Sequence, residues 1–568
     1  LHIHSKYSRA TSRECVPEYL DLWARRKGID LLGTGDFTHP AWRRELKDKL
    51  APAEDGLYQL KEDFKIKDSM TADEKEPRFV VSGEISSIYK KNGKTRKVHN
   101  LILLPGLEEA EQLSRRLEAI GNIHSDGRPI LGLDSRDLLE ITLETCPRAI
   151  FIPAHIWTPH FSLFGAFSGF DTIEECFEDL TGHIHALETG LSSDPPMNWR
   201  LSALDSFHLV SNSDAHSPAK LGREANLLDI ELSYEGLYQA LQEGEGLVGT
   251  LEFFPEEGKY HMDGHRKCDL CLSPVQTSQY GGRCPVCGKK ITIGVLHRVE
   301  QLADRQEGYE KPGARPFESL VPLPEVIAAS TDKSAASVKV QRQYEAMLAE
   351  LGTEFSILRD IPLEAIRSCA GPCIEEGIRR LRQGKVERIP GYDGEYGIIK
   401  IIDKEEIAEL CGQVSFFESI ALPAGKKKKA PEKRGTIPKE KAKEPAKESR
   451  QAPDNLRQQE AVTAEERVVA VIAGPGTGKT HTLIEKIAFL IQEKGLAPAE
   501  ITALTFTKKA AEELKHRLQK KLGKRKASAV KTGTFHSICL ELLKRWKGEI
   551  RLADEQQQKD AATASIKD

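Results

Sequence analysis

Cysteine is scarce in this chain, 11 in 568 residues, and methionine scarcer still at four. Disulfide scaffolds need far denser cysteine, so a stapled secreted module is excluded. No apolar run approaches the roughly 20 residues that span a bilayer, and no basic region leads into an apolar core at the start. The expectation is a cytoplasmic protein with no membrane partner. The chain opens Leu1-His2-Ile3-His4 with no initiator Met, so the natural start is expected upstream. Charge of one sign is also lacking: the net charge of -4 gives no overall attraction for nucleic acid, and any such role must rest on local patches.

What the chain does have is length and pattern. At 568 residues it exceeds what one hydrophobic core organises, and 39% apolar with 30% charged residues is ordinary for a globular protein. Through residue 215, short apolar runs alternate with amphipathic stretches: Leu31-Leu32-Gly33, Phe79-Val80-Val81, Leu101 to Leu104, Ala149 to Ile152 and His208-Leu209-Val210 read as buried strands. Thr172-Ile173-Glu174-Glu175 reads as a capping box that opens a helix. The pattern predicts an α/β fold with a barrel-like first domain. From Gly425 to Pro453 aromatics vanish and Lys, Glu, Pro and Ala dominate, which cannot bury a core. Expected boundaries are therefore 1–255 for the first domain, 256–300 for a cysteine-rich module, 301–423 for an α+β region, 424–453 for a basic disordered linker and 454–568 for a last domain.

Chemistry-bearing residues gather where apolar strands stop. His2 and His4 alternate on one strand face, so two imidazoles can converge on a metal. Then come Asp36 and His39, Glu84, His99, His155, and Asp214-x-His216. One histidine in such a place is more often a hydrogen-bonded core or surface residue; a series of them at strand ends points to a metal site, because strand ends are where a barrel assembles its chemistry.

His2-x-His4, Glu84, His99, His155 and Asp214-x-His216 resemble the four-part signature of PHP-domain phosphoesterases over about residues 1 to 220. That resemblance implies a distorted β/α barrel holding two or three divalent metals, zinc or manganese, that activate water for attack on a phosphorus ester. It implies metal ligation by His2, His4, Asp36, His39, Glu84, His99, His155, Asp214 and His216, with Glu84, Asp214 and His216 as the catalytic residues. The family has a His where Phe37 stands here, and His39 is taken as its substitute.

A second metal signal is Cys268-x-x-Cys271, twelve residues, then Cys284-x-x-Cys287-Gly288, the spacing of a four-thiolate zinc ribbon. A closed thiolate site has no open position for water, so this zinc is expected to hold structure. Arg283, Lys289, Lys290 and Arg298 are either phosphate contacts or a solvated basic face. Further on, Ala370-Gly371-Pro372 resembles a helix-hairpin-helix turn, with an ordinary helix pair the alternative. Asp393-Gly394, between Tyr392 and Tyr396, is a hairpin signal, and its tyrosines could also stack on an exposed base.

Taken together, His2 to Ser12, Gly35-Asp36-Phe37-Thr38-His39-Pro40, the cysteine module and Gly391 to Gly397 resemble endonuclease Q over residues 1 to about 420. That family implies cleavage of DNA on the 5′ side of deaminated bases such as uracil and hypoxanthine, and action at abasic sites, with damaged duplex or single-stranded DNA as partner. The damaged nucleotide would be turned out of the stack.

The last domain carries Ala473-Gly474-Pro475-Gly476-Thr477-Gly478-Lys479-Thr480, a phosphate loop expected to follow the strand Val468 to Ile472 and to open a helix. Glycine backbone amides would surround the phosphates, Lys479 would reach the β and γ oxygens, and Thr480 would bind magnesium. Gln458 resembles the adenine-reading residue of UvrD-type helicases, while Thr505-Phe506-Thr507 and Thr534-Phe535-His536 resemble their strand-contacting motifs. The resemblance implies a partial RecA-like P-loop domain that takes ATP and magnesium. Asp554-Glu555-Gln556-Gln557 has no apolar strand before it and is not read as the magnesium-binding carboxylate pair, so weak nucleotide binding without complete hydrolysis is expected of this segment. Two other readings compete with a helicase-linked endonuclease: a small-molecule phosphatase, which has no use for the cysteine module or phosphate loop, and a DNA-binding scaffold, which has no need of the metal constellation.

Overall fold

In the computed structural model the described residues are 1–70, 76–410, 456–464, 466, 469–471, 479–505 and 508–547. The expected linker, Gly474 to Gly478, Phe506, Thr507 and Asp554 to Gln557 lie outside them, as do most of Val468 to Ile472 and the side chains of Gln458 and His536. The chain divides into two compact units, Leu1–Lys427 and Lys428–Asp568.

The first unit is built around a seven-stranded mixed sheet. Its spine is an antiparallel hairpin, Arg78–Lys91 paired with Lys94–Leu104 in a register that sets Glu84 against Leu101 and Ser86 against His99. Asn92 and Gly93 turn the hairpin at φ 52° and 72°, the left-handed pair that matches strand twist in a tight turn. Phe79 to Ile85 are buried without a break, the mark of a strand covered on both faces. Leu31–Gly33 and Ile130–Leu131 pair with the same strand in parallel, and Ile150–Pro153 pairs antiparallel with Lys94–Leu104. Ala186–Glu188 and His208–Val210 form a separate parallel pair, and Ile3 bridges Ala215 in parallel. The described strands thus group as one large mixed sheet and smaller partners, with all the expected strand runs present.

The helix Pro17–Lys27 stops at Gly28, whose φ of 82° lets its amide reach back to Ala24 and Arg25. Lys27 at its end is buried against Glu354 at 2.9 Å, and that carboxylate also accepts from Tyr344 Oη and Leu323 N. This ties the strand-rich region to a helical one made of Leu323–Thr331, Val338–Leu351, Glu354–Arg359, Leu363–Ala370 and Pro372–Arg382. Gly371, at φ 84°, makes the break between the last two helices where the sequence places it. Glu387–Ile389 and Ile398–Lys400 then pair as a hairpin tipped by Asp393 and Gly394, both with positive φ.

The Thr172 motif opens only the four-residue helix Glu174–Phe177. Thr172 Oγ1 accepts from Glu175 N, but the Glu175 carboxylate accepts from Asp171 N, one residue earlier than a capping box requires.

In the second unit, parallel strands Thr502–Thr505 and Lys531–Thr534 pair residue for residue, and Ile484, Ile487 and Ile491 of the helix Lys479–Gln492 pack with Leu514 and Leu518 of the helix Lys508–Leu522. Lys479 and Thr480 open the first of these helices. Thr505 and Thr534 end the two strands, and Phe535 begins the helix Phe535–Lys547. No helix among the described residues is long and apolar enough to cross a membrane.

Candidate metal centre

Glu84 sits within the long central strand, fully buried, with two sets of histidines around it. On one side His2 and His4 reach it from the first residues of the chain, which are held by the Ile3–Ala215 bridge and by His4 N donating to Ala215 O. The Nε2 atoms of His2 and His4 lie 3.5 and 3.3 Å from Glu84 Oε2, and 3.6 and 3.0 Å from Asp214 Oδ1. On the other side His99 Nδ1 is 2.6 Å and His155 Nε2 is 3.0 Å from Glu84 Oε1. Two clusters result, His2/His4/Glu84/Asp214 and Glu84/His99/His155, each with ligand atoms close enough to hold a metal ion and with Glu84 common to both.

Three of these atoms, His2 Nε2, His4 Nε2 and Asp214 Oδ1, are buried without a hydrogen-bond partner. Unsatisfied buried polar atoms are costly, and three converging on one point fit a cation better than any protein donor or acceptor. The backbone carries a matching signature. Asp36, His155 and Asp214 all have positive φ (49°, 31° and 44°), a left-handed conformation that disfavours residues with a Cβ and is kept where function over-determines it.

Electrostatics follow from the same crowding. Burial alone would lower the pKa of His2, but Glu188, Glu84 and Asp214 outweigh it and push it up to about 10. His4 is likewise raised against its burial by Asp214, Asp36 and Glu84. His99 goes the other way, held down to about 4 by burial despite Glu84. Glu84 and Asp214 stay well below the usual carboxylate range, because the surrounding imidazoles overcome burial.

Not every expected ligand joins the clusters. Asp36 lies behind His4: its Oδ1 is 3.1 Å from His4 Nδ1, while Oδ2 accepts from Ser5 N, Ser5 Oγ and Ser8 Oγ. With its acceptor capacity used in this way it orients His4, and it is not itself in a ligand group. His39 donates from Nε2 to the His124 carbonyl and stacks on Tyr7 at 4.3 Å, so it does not replace the missing family histidine. His216 stands beside His4, ring centroids 4.5 Å apart, with Nδ1 donating to the Asp214 carbonyl at 2.9 Å; it borders the first cluster without joining it.

Two residues come into the site unannounced. Glu188, at the end of Ala186–Glu188, is buried and accepts from His2 Nδ1, from His155 N at 2.8 Å and from Asn212 Nδ2 at 2.9 Å. Arg128 donates to Glu84 Oε2 at 2.9 Å. A carboxylate at a strand end was the signal for Glu188; Arg128, on a loop, gives none. Among the four cysteines of the expected ribbon, Cys268, Cys284 and Cys287 come together, joined by His265, and Cys271 is exposed outside the group.

Comparison with known proteins agrees with this geometry. Residues 454–566 match the UvrD/REP helicase N-terminal domain and residues 322–385 match the MJ0043 C-terminal domain. The uncharacterized protein MJ0043 of Methanocaldococcus jannaschii is 33% identical over 252 residues, covering 43% of this chain, and the chain spans only 31% of that relative's length. The ATP-dependent DNA helicase PcrA of Staphylococcus aureus is 44% identical over 91 residues, 16% of this chain and 12% of the helicase. The crystal structure of the lesion-specific endonuclease PfuEndoQ from Pyrococcus furiosus superposes with a TM-score of 0.62 at 30% identity, covering 72% of this chain and 98% of its own. An endonuclease Q complex with a 27-mer duplex substrate bearing an abasic lesion at the active site gives 0.62 at 31%, covering 72% and 96%. The chain belongs to the endonuclease Q family and carries a UvrD/REP helicase N-terminal domain behind it.

Proposed function

We propose that the first unit is a metal-dependent DNA endonuclease that cuts the phosphodiester backbone at abasic sites and deaminated bases. The observation that carries this reading is the trio of partnerless buried atoms, His2 Nε2, His4 Nε2 and Asp214 Oδ1, facing the shared carboxylate Glu84. Divalent ions, zinc or manganese, would supply water of lowered pKa and charge neutralisation at the phosphate. His2, His4 and Asp214 would hold one ion, His99 and His155 another, with Glu84 between them. Asp36 and Glu188 fix the rings of His4 and His2 through Nδ1, so that each presents Nε2. The bond from His216 Nδ1 to the Asp214 carbonyl leaves the lone pair on Nε2, where burial favours the neutral ring and a proton can be accepted.

In the second unit, we read the segment ahead of Lys479–Gln492 as the ATP and magnesium site of a helicase module, with Lys479 and Thr480 at the helix start, and Thr505, Thr534 and Phe535 at strand ends as its DNA-facing positions. The test is metal analysis of the purified chain together with incision of matched duplexes containing an abasic site, uracil or no lesion. Bound divalent metal and lesion-dependent nicking are expected. Equal cutting of all three, or phosphate release from small esters with no nicking, overturns the reading.

A further inference from the structure

Two small turns face each other in the cysteine-rich region. In the first, Asp263–His265 pairs antiparallel with Leu270–Leu272, so that His265 opposes Leu270 and Gly264 opposes Cys271. In the second, Arg283 bridges Lys290 antiparallel, and Cys284 N donates to Lys289 O at 2.7 Å. His265 and Cys284 therefore hold the same position, the last residue before each turn.

The turns also close alike. Asp269, directly after Cys268, has φ 49°, and Gly288, directly after Cys287, has φ 72°. The repeated unit is ligand, two residues, cysteine, left-handed residue: His265-Arg266-Lys267-Cys268-Asp269 and Cys284-Pro285-Val286-Cys287-Gly288. In this alignment Cys271 is the counterpart of Lys290, beyond the turn on the returning strand. The ligand atoms of His265, Cys268, Cys284 and Cys287 all lie within 4.8 Å of one another, with Cys287 Sγ 3.9 and 4.0 Å from the two ring nitrogens of His265. Four ligands about 2.3 Å from a common tetrahedral centre would stand roughly 3.8 Å apart.

We propose that three thiolates and one imidazole, Cys268, Cys284, Cys287 and His265, hold a structural zinc ion, and that Cys271 is a free surface thiol in spite of its two-residue spacing from Cys268. Closed sulfur and nitrogen tetrahedra of this kind suit zinc. The region needs such an ion, since its own buried apolar cluster is only Leu272, Cys284 and Ile291, and metal binding is then the main source of its folding energy. The ion would also anchor the Asp393-Gly394 hairpin: Arg266 N, inside the first turn, donates to Asp393 at 2.7 Å, and Tyr392 Oη donates to Asp269 at 2.8 Å. The inference does not depend on the nuclease reading.

Alkylation of the zinc-loaded full chain, followed by mass mapping, tests it. Cys271 should be modified while Cys268, Cys284 and Cys287 are protected, and stripping the metal should expose all four. A cobalt-substituted sample adds a second readout. Cys271→Ser should leave the thiolate-to-cobalt charge-transfer band unchanged, Cys284→Ser should diminish it, and His265→Cys should strengthen it by adding a fourth thiolate. Protection of Cys271, or loss of band intensity in Cys271→Ser with none gained in His265→Cys, overturns the assignment in favour of four cysteines.

Discussion

Glu188 sets both oxygens of its carboxylate against Nδ1 of His2, at 3.1 and 3.0 Å, in a fully buried contact between residues 186 positions apart. The contact fixes the ring's tautomer and turns Nε2 toward Asp214 and Glu84. Outer carboxylates of this kind are worth about 10–100-fold in metal affinity. Glu188→Gln keeps the size but loses the charge, and a loss of that order is expected when the metal-free chain is titrated with manganese or zinc against a competing chelator. Affinity equal to that of the unaltered chain contradicts the role.

Asp214→Asn and His4→Ala should each abolish incision while leaving the fold and the affinity for lesion-bearing duplex in place, because a lost ligand empties one metal position without removing the DNA-contacting surface. Circular dichroism and an electrophoretic shift check the two retained properties. Full nicking activity in either variant removes that residue from the site.

Metal affinity should rise with pH. A protonated imidazole has no lone pair to give, and in the metal-free fold His2 is raised from its ordinary 6.5 to about 10 by Glu188, Glu84 and Asp214. The stabilisation these carboxylates give the metal-free protein is complete below pH 6.5 and fades as pH rises through about 10. Metal binding displaces the same protons, so the Tm gain on loading should grow from about pH 6 to about pH 9. A gain that shrinks over this interval contradicts the assignment.

Lys27→Met should cost about 3–5 kcal/mol by leaving Glu354 charged and buried without its cation. Urea unfolding of the first unit checks this. A loss within about 0.5 kcal/mol, the usual range for a surface change, would show that the pair is not the tie it looks to be.

Much of the site was legible because ligands follow strands. Glu84, His99, His155 and Asp214 stand in or just after apolar runs, and the strands bring them together. Strand position does not say which carboxylate faces the metal and which sits behind a histidine, which is why Asp36 reads as a ligand in sequence and as a partner of His4 in the structure. Glu188 was missed because only Ala186 and Leu187 precede it, too short a run to stand out as a strand. Cysteine spacing misled for a related reason: Cys268 and Cys271 have ribbon spacing, but the turn that defines the first knuckle begins at His265, and turn geometry depends on the backbone angle at Asp269, which spacing does not encode.

The central claim, that the Glu84-centred cluster cuts lesion-bearing DNA without help from the helicase module, is tested most directly by single-turnover nicking of a duplex with one abasic site, in the absence of ATP. The unaltered chain, Lys479→Ala and Glu84→Gln would be compared, each loaded with manganese. The account predicts that Lys479→Ala nicks within about tenfold of the unaltered chain, equal to about 1.4 kcal/mol of barrier, and that Glu84→Gln falls to the uncatalysed background. Nicking that survives in Glu84→Gln, or that collapses in Lys479→Ala, would contradict it.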